Sequence, residues 1–156
     1  MKRFRPAHAI ALVVLVLAAV VGAEQVISGR KAKFERVRPD AQGQVRIDVA
    51  DLAPNEVRFY RFLNAGNQEV RFFVGRDRQG ELLAAFDASD NDFKMNRGFR
   101  AHDGWIVNNK CETSIRLGEV NAHPSGCAPV PLRFSTAGDT LITREADVLE
   151  GWRYFR

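Results

Sequence analysis

The sequence predicts a mainly β fold, a small antiparallel sandwich or barrel-like domain that follows an N-terminal apolar helix. The 156 residues are enough for one domain with a modest core, and 46% of them are hydrophobic. Val45, Ile47 and Val49 alternate with charged residues, as in a strand with one buried face. Further short apolar segments follow at close spacing, separated by Gly, Asn and Asp turns, which is typical of an all-β domain.

The first half of the chain predicts a regular series of strands. Residues 24–44 are polar and rich in Lys and Arg, so they predict a linker before the first strand. Segments rich in Val, Phe, Tyr and Leu then predict strands, and Asn, Pro or Gly mark the turns between them. The predicted strands of this half are residues 45–49, 56–63, 69–75 and 81–86.

The second half predicts longer loops. Residues 87–103 are polar and show no sustained period, and residues 124–131 contain Pro and Gly, so both predict loops. The other predicted elements are strands at residues 104–109 and 115–120, a strand pair over residues 132–143, and a helical turn at residues 145–150. The expected organisation is a targeting segment at residues 1–23, a linker at residues 24–44 and a β domain at residues 45–156.

The N-terminal segment predicts export from the cytoplasm. Lys2, Arg3 and Arg5 precede an apolar run of 15 residues, 9–23, which ends in small residues. This pattern indicates either a cleaved signal peptide or a single membrane anchor. The run is shorter than the about 20 residues of a typical spanning helix. Because the positive charges precede the apolar run, we expect the rest of the chain to be periplasmic or extracytoplasmic, either secreted or anchored to the inner membrane by one helix. The membrane is a partner if the segment is not cleaved.

Charge and motif content exclude several functional classes. The formal net charge is +4. Without residues 1–23, the chain has 20 basic and 19 acidic residues, and its net charge falls to +1. The remaining charges alternate in sign and form no basic patch in the sequence, so we expect no nucleic-acid partner. The sequence has no phosphate-binding loop, dinucleotide turn or nucleophile elbow. We therefore assign no catalytic residues and expect a non-enzymatic role.

Two cysteines are the main candidates for chemistry. Cys111 and Cys127 are 16 positions apart, and His102 and His123 lie nearby in the sequence. In an oxidising compartment the two cysteines are expected to form a disulfide, which would stabilise the fold by roughly 3 kcal/mol. The same residue types are also ligands for soft metal ions. The sequence leaves both interpretations open.

Three segments resemble a known bacterial family, the membrane iron–sulfur-containing, FtrD-like domain. The most specific is the last, in which a Gly-Cys pair precedes a Pro-x-Pro-Leu stretch and a closing strand pair. The segments are VRFFVGRDRQGELLAAFDASDNDF at residues 70–93, GWIVNNKCETSIRLGEVN at residues 104–121 and GCAPVPLRFSTAGDTLITREADVLEGWRYF at residues 126–155. The resemblance implies an extracytoplasmic, membrane-associated accessory protein in envelope metal (iron) or electron handling. Its expected partners are other envelope metal-transport or redox components.

The chain departs from the cysteine pattern that this resemblance implies. The family typically carries two CxxC pairs and a later cysteine, but this sequence has Ser89 and Asp92 at the first pair and Ser114 in place of the second cysteine of the other pair. Only Cys111 and Cys127 are kept, so one chain is not expected to hold an intact iron–sulfur cluster. An altered site for one iron, zinc or copper ion is one interpretation. Its predicted ligands are Cys111, Cys127, His123, His102 and Asp92.

Two other interpretations compete with a metal site. In the first, the chain is a non-catalytic binding or assembly module with a structural Cys111–Cys127 disulfide and no metal. In the second, it is a small thiol oxidoreductase, which requires a reactive CxxC pair. The segment Cys111-Glu112-Thr113-Ser114 keeps only one of those two thiols, which disfavours the second.

Overall fold

The computed structural model describes residues 33–91, 95–122 and 126–156, in which ten strands form three sheets. The predicted apolar segment 1–23 lies outside the described residues. The strands are β1 (Phe34–Val37), β2 (Gln44–Asp48), β3 (Val57–Leu63), β4 (Glu69–Arg76), β5 (Leu82–Phe86), β6 (Phe99–His102), β7 (Trp105–Asn108), β8 (Ser114–Arg116), β9 (Ser135–Ala137) and β10 (Thr140–Arg144). The helical elements are a 3-10 helix (Leu117–Glu119), α1 (Glu145–Glu150) and a second 3-10 helix (Gly151–Tyr154).

The central sheet has the strand order β1-β3-β4-β5. Strands β3, β4 and β5 pair antiparallel, whereas β1 pairs with β3 in parallel and places Phe34 opposite Phe59. The other two sheets have the orders β2-β10-β9 and β6-β7-β8, and both are antiparallel. Strands account for 42% of the structure and helices for 11%, so the predicted mainly β class is confirmed.

Strand β4 is buried on both faces and separates two hydrophobic cores. Successive residues of a strand point to opposite faces of its sheet. Phe72 therefore packs into the first core, where β2 and β10 supply Val45 and Leu141, while Phe73 packs into the second core. The second core is completed by Phe99 and Ile106 of the β6–β7–β8 sheet, by Leu117 of the first 3-10 helix and by Val120, the residue after that helix.

Within the predicted linker at residues 24–44, residues 24–32 lie outside the described residues, and the described part, 33–44, contains β1 and the first residue of β2. The sequence of β1, Phe-Glu-Arg-Val, is too short and too polar to show a strand period. Its position depends on contacts with distant residues: the Phe34 and Phe59 rings are 5.8 Å apart, and Lys33 Nζ lies 3.9 Å from a carboxylate oxygen of buried Asp87.

Three predictions in the second half also need correction. The predicted loop 87–103 contains β6, which is held by pairing with β7. The predicted strand 115–120 turns after three residues of β8 into the first 3-10 helix. The final hairpin begins at Ser135 and not at Leu132, because Leu132 donates its amide to the carbonyl of Ala84 beside the central sheet. The other predicted strands and the helical turn at residues 145–150 are confirmed.

A buried carboxylate anchors the C-terminal helix α1. Asp147 is 5% exposed. It accepts hydrogen bonds from Arg144 Nε at 2.6 Å and from Arg133 Nε at 2.9 Å. The hydrogen bond from Arg144 is the main cause that lowers the pKa of Asp147, and the charges of Arg144 and Arg133 lower it further. The folded protein therefore favours the ionised carboxylate.

We expect Asp147→Asn to lower the free energy of unfolding at pH 7 by roughly 1–2 kcal/mol, since charge-assisted hydrogen bonds are lost. Because the folded-state pKa is depressed, the contribution is present above the pKa of an unfolded aspartate, about 3.9, and is lost as the pH falls through the lower folded value. Urea unfolding of both proteins at several pH values tests this. The difference should shrink toward pH 3, whereas the exposed turn variant Asp139→Asn should match the parent protein throughout.

Candidate functional site

A disulfide joins the two cysteines. Cys111 follows β7 in a turn, and Cys127 lies in the segment that leads to the bridge between Pro131 and Ala85. Their sulfur atoms are 2.06 Å apart and their Cα atoms 6.2 Å apart. Both residues are half-buried. The sequence left a disulfide and a metal site as alternatives, and the structure contains the disulfide.

Asn108, the last residue of β7, organises the loops around this disulfide. It is fully buried. Its Nδ2 donates hydrogen bonds to Ser89 Oγ at 3.1 Å and to the Cys127 carbonyl at 2.9 Å. Its Oδ1 accepts the backbone amides of Lys110 at 2.8 Å and of Cys111 at 3.0 Å. One side chain therefore connects the loop after β5, the turn after β7 and the Cys127 loop.

Ser89 stands where the family pattern implied by the resemblance has a cysteine. It is fully buried, and its hydroxyl accepts the hydrogen bond from Asn108, which in turn contacts both cysteine loops. The structure thus places Ser89 in the same cluster as Cys111 and Cys127. Ser114 is different, because it is exposed at the start of β8, opposite Val107.

Asn91 closes the outer side of the cluster. Its amide Nδ2 lies 3.5 Å from Cys127 Sγ, and its backbone amide donates to the Gly126 carbonyl at 2.9 Å. Lys110 Nζ donates a hydrogen bond to the Asn91 carbonyl. A Cβ atom at Gly126 would lie 2.6 Å from Asn91 Nδ2. A larger residue before Cys127 would therefore force the Asn91 amide to move.

Of the remaining predicted ligands, the structure describes His102, and this residue does not join the cluster. His102 is exposed at the end of β6, opposite Trp105, while Phe99 at the other end of β6 lies opposite Asn108. Three residue steps along the strand, about 10 Å, separate the two ends. Asp92 and His123 lie outside the described residues. Within residues 33–91, 95–122 and 126–156, no three His, Cys, Asp or Glu residues are arranged to hold a metal ion.

An iron–sulfur cluster does not fit this donor set. Such clusters are held by four cysteine thiolates, or by two cysteines and two histidines in one variant. The chain has two cysteines, and they are bonded to each other. The neighbouring donors that the structure describes are the hydroxyl of Ser89 and the amides of Asn91 and Asn108, which are weak iron ligands.

The sequence patterns did not predict a role for Asn108 or Asn91 in this cluster. Asn108 opens the segment Asn-Asn-Lys-Cys, and asparagine often accepts the amide two residues further on in a turn. That signal predicts the bond to Lys110, but it carries no information about Ser89 or Cys127.

Within residues 33–91, 95–122 and 126–156, the structure contains no helix with the length and hydrophobicity of a membrane span.

Comparison with known proteins identifies the family. The model of the family described as "Membrane iron-sulfur containing protein FtrD-like" matches residues 52–155, which include the disulfide, Ser89 and Asn108. No curated protein and no solved structure matches the chain. The match covers more than half of the sequence, and the chain therefore belongs to the FtrD-like family of membrane iron–sulfur-containing proteins.

Proposed function

We propose that this chain is a membrane-associated accessory protein of iron or electron handling in the cell envelope, whose iron–sulfur site has been replaced by a dithiol–disulfide site. Family membership supports the iron-related role. The observation that carries the proposal is the hydrogen-bonded cluster of Ser89, Asn108 and the Cys111–Cys127 disulfide. A position where the family pattern has a thiol converges there with the two thiols that remain.

In this proposal the oxidised form is closed to metal ions, because both sulfur atoms are used in the disulfide. Two-electron reduction by a dithiol protein of the envelope would break the sulfur–sulfur bond and yield two thiols. Cys111 and Cys127 would then offer a pair of soft ligands for one iron, zinc or copper ion. His123, four positions before Cys127 in the sequence, and Asp92 are the proposed additional ligands. His102 would need to move from the far end of β6 to take part.

The test is elemental analysis and thiol counting on the full chain, purified in detergent without a chelator or a metal-affinity tag. We expect no free thiol in the isolated protein and two per chain after anaerobic reduction. The reduced protein should then bind about one Fe²⁺ or Zn²⁺ per chain, and Cys111→Ser should lose that ion. Ser114→Ala provides the matched control, since Ser114 is exposed outside the cluster, and it should bind like the parent.

A cellular measurement tests the role itself. Deletion of the gene should slow growth when iron is limited by a chelator, and the wild-type gene should restore growth while Cys111→Ser should not. If the reduced protein binds no metal ion and the deletion strain grows normally under iron limitation, the proposed function is wrong.

The second candidate is a non-catalytic binding or assembly module with a structural disulfide. The observation that favours it is that the Asn108 side chain bonds backbone groups of both cysteine loops while the disulfide is intact. In that case reduction should only destabilise the fold, and the reduced protein should bind no metal ion.

A further inference from the structure

A cleft of about 640 Å³ lies away from the disulfide, between the β4–β5 hairpin, the β6–β7 turn and the first 3-10 helix. Its volume is within the range of small-molecule sites, roughly 300–1,000 Å³. The residues that line it include Arg78, Asp103, Trp105, Arg116 and Glu119. None of them belongs to the proposed dithiol site.

The walls of the cleft are fixed by hydrogen bonds from backbone amides. Buried Asp77 accepts the amides of Gln79 at 2.9 Å and Glu81 at 2.8 Å, which holds the hairpin loop. The Leu117 amide donates to the Gly104 carbonyl at 3.1 Å, which ties the 3-10 helix to the β6–β7 turn. Gly104 has φ +76°, and a Cβ atom there would lie 2.7 Å from Asn55 Oδ1, so any other residue would be strained at this position. The site is therefore preformed.

Four charged side chains line the cleft without pairing. Within the described part of the chain, the side chains of Arg78, Arg116, Asp103 and Glu119 make no hydrogen bond or ion pair. Other arginines of the domain, such as Arg144, are paired with carboxylates. Two guanidinium groups and two carboxylates thus share one cleft with no net charge, and each retains its full hydrogen-bonding capacity.

Trp105 supplies the apolar part of the cleft. It is 36% exposed, so part of its ring surface is open to a ligand. The Arg116 guanidinium lies over its ring, 5.1 Å from the centroid. This cation–π contact orients the guanidinium while its N–H groups stay available, and a planar guanidinium binds a carboxylate through two parallel hydrogen bonds.

We propose that this cleft binds a zwitterionic ligand of the amino-acid type, either a free α-amino acid or a short peptide. Arg78 and Arg116 bind the carboxylate of the ligand. Asp103 and Glu119 accept hydrogen bonds from its ammonium group. An apolar ligand side chain packs on Trp105. The unpaired charges of both signs favour such a ligand over a simple anion, which the two carboxylates would repel, and over a simple cation, which the arginines would repel.

The test is calorimetric titration of the full chain in detergent with the twenty free amino acids and the twenty Ala-X dipeptides. We expect saturable binding of at least one apolar or aromatic member. Tighter binding of free amino acids or of dipeptides identifies which source the site uses, and both results support the proposal. Trp152→Phe leaves Trp105 as the single tryptophan, so its fluorescence should change on binding.

Chemical blocking of each charged group assigns the contacts. Acetylation of the ligand amine and amidation of its carboxylate should each weaken binding at least tenfold. In Arg116→Gln, amidation of the ligand should weaken binding less than it does in the parent, and in Glu119→Gln, acetylation should weaken binding less than it does in the parent, because Arg78 and Asp103 remain. Both residues are exposed, so these variants should fold normally. Arg36→Gln, an exposed arginine on β1, is the control and should bind like the parent.

Two results would overturn the proposal. One is the absence of binding by every amino acid and dipeptide at millimolar concentration. The other is binding that Arg116→Gln and Glu119→Gln leave unchanged. Neither result bears on the dithiol site, because the titrations are performed with the disulfide intact and without metal.

Discussion

Replacing both cysteines with serine should lower the free energy of unfolding by about 3 kcal/mol. The disulfide closes a loop over a sequence separation of 16 residues, and its loss restores the conformational entropy of that loop in the unfolded chain. For a domain of this size the expected decrease in melting temperature is on the order of 10 °C. Urea and thermal unfolding of the parent and of the Cys111→Ser/Cys127→Ser variant, under non-reducing conditions, measure the difference.

Reductant provides the matched control for this prediction. The parent protein in reductant should unfold at nearly the same urea concentration as the double variant, while the double variant should not respond to reductant. If the parent is equally stable with and without reductant, the disulfide does not restrain the unfolded chain. The proposal that the cluster changes state on reduction would then lose its physical basis.

Strands with a local signal could be predicted from the sequence. In β2, Val45 and Ile47 alternate with Arg46 and Asp48, and the structure buries the first pair and exposes the second. In β4 the run Phe72-Phe73-Val74 has no alternation, and the structure explains this by burial on both faces. In both strands the order of apolar and charged residues follows which side chains are buried, so a short stretch of sequence is enough to predict the strand.

Strands that depend on distant partners could not be predicted. The polar strand β1 is parallel to β3, and its position follows from Phe34 against Phe59, 25 residues away in the sequence. Strand β6 has one buried residue, Phe99, followed by exposed Arg, Ala and His. A single apolar residue gives no period, and only the pairing with β7 makes this segment a strand.

The candidate site shows the same division. The two cysteines were evident from composition alone, and the family resemblance identified Ser89 as a substituted position. Asn108 was not evident, because its partners come from three loops up to 19 residues away. The cleft around Trp105 was missed as well, because the sequence predicts a core position for an aromatic residue on a strand, whereas the turn at Gly104 leaves this one at the end of its sheet.

Asn108→Ala should destabilise the protein by about 3 kcal/mol. The substitution leaves the amides of Lys110 and Cys111 without their acceptor and the Cys127 carbonyl without its donor. These groups are partly buried, so we expect the low end of the roughly 1–3 kcal/mol that each buried polar group costs when it loses its partner. The disulfide should also become more accessible, so its reduction by dithiothreitol should accelerate on the order of tenfold. Urea unfolding and a thiol-release assay measure the two effects.

The neighbouring residue gives the control. Asn109→Ala removes hydrogen bonds to Arg97 and Arg100 near the surface, so it should cost under about 1 kcal/mol and leave the reduction rate unchanged. Because Asn108 and the disulfide restrain the same loops, their effects should not add: Asn108→Ala should cost less in the cysteine-free background than in the parent. Equal costs in both backgrounds would show that the two features act independently, and that Asn108 belongs to the fold and not to the dithiol site.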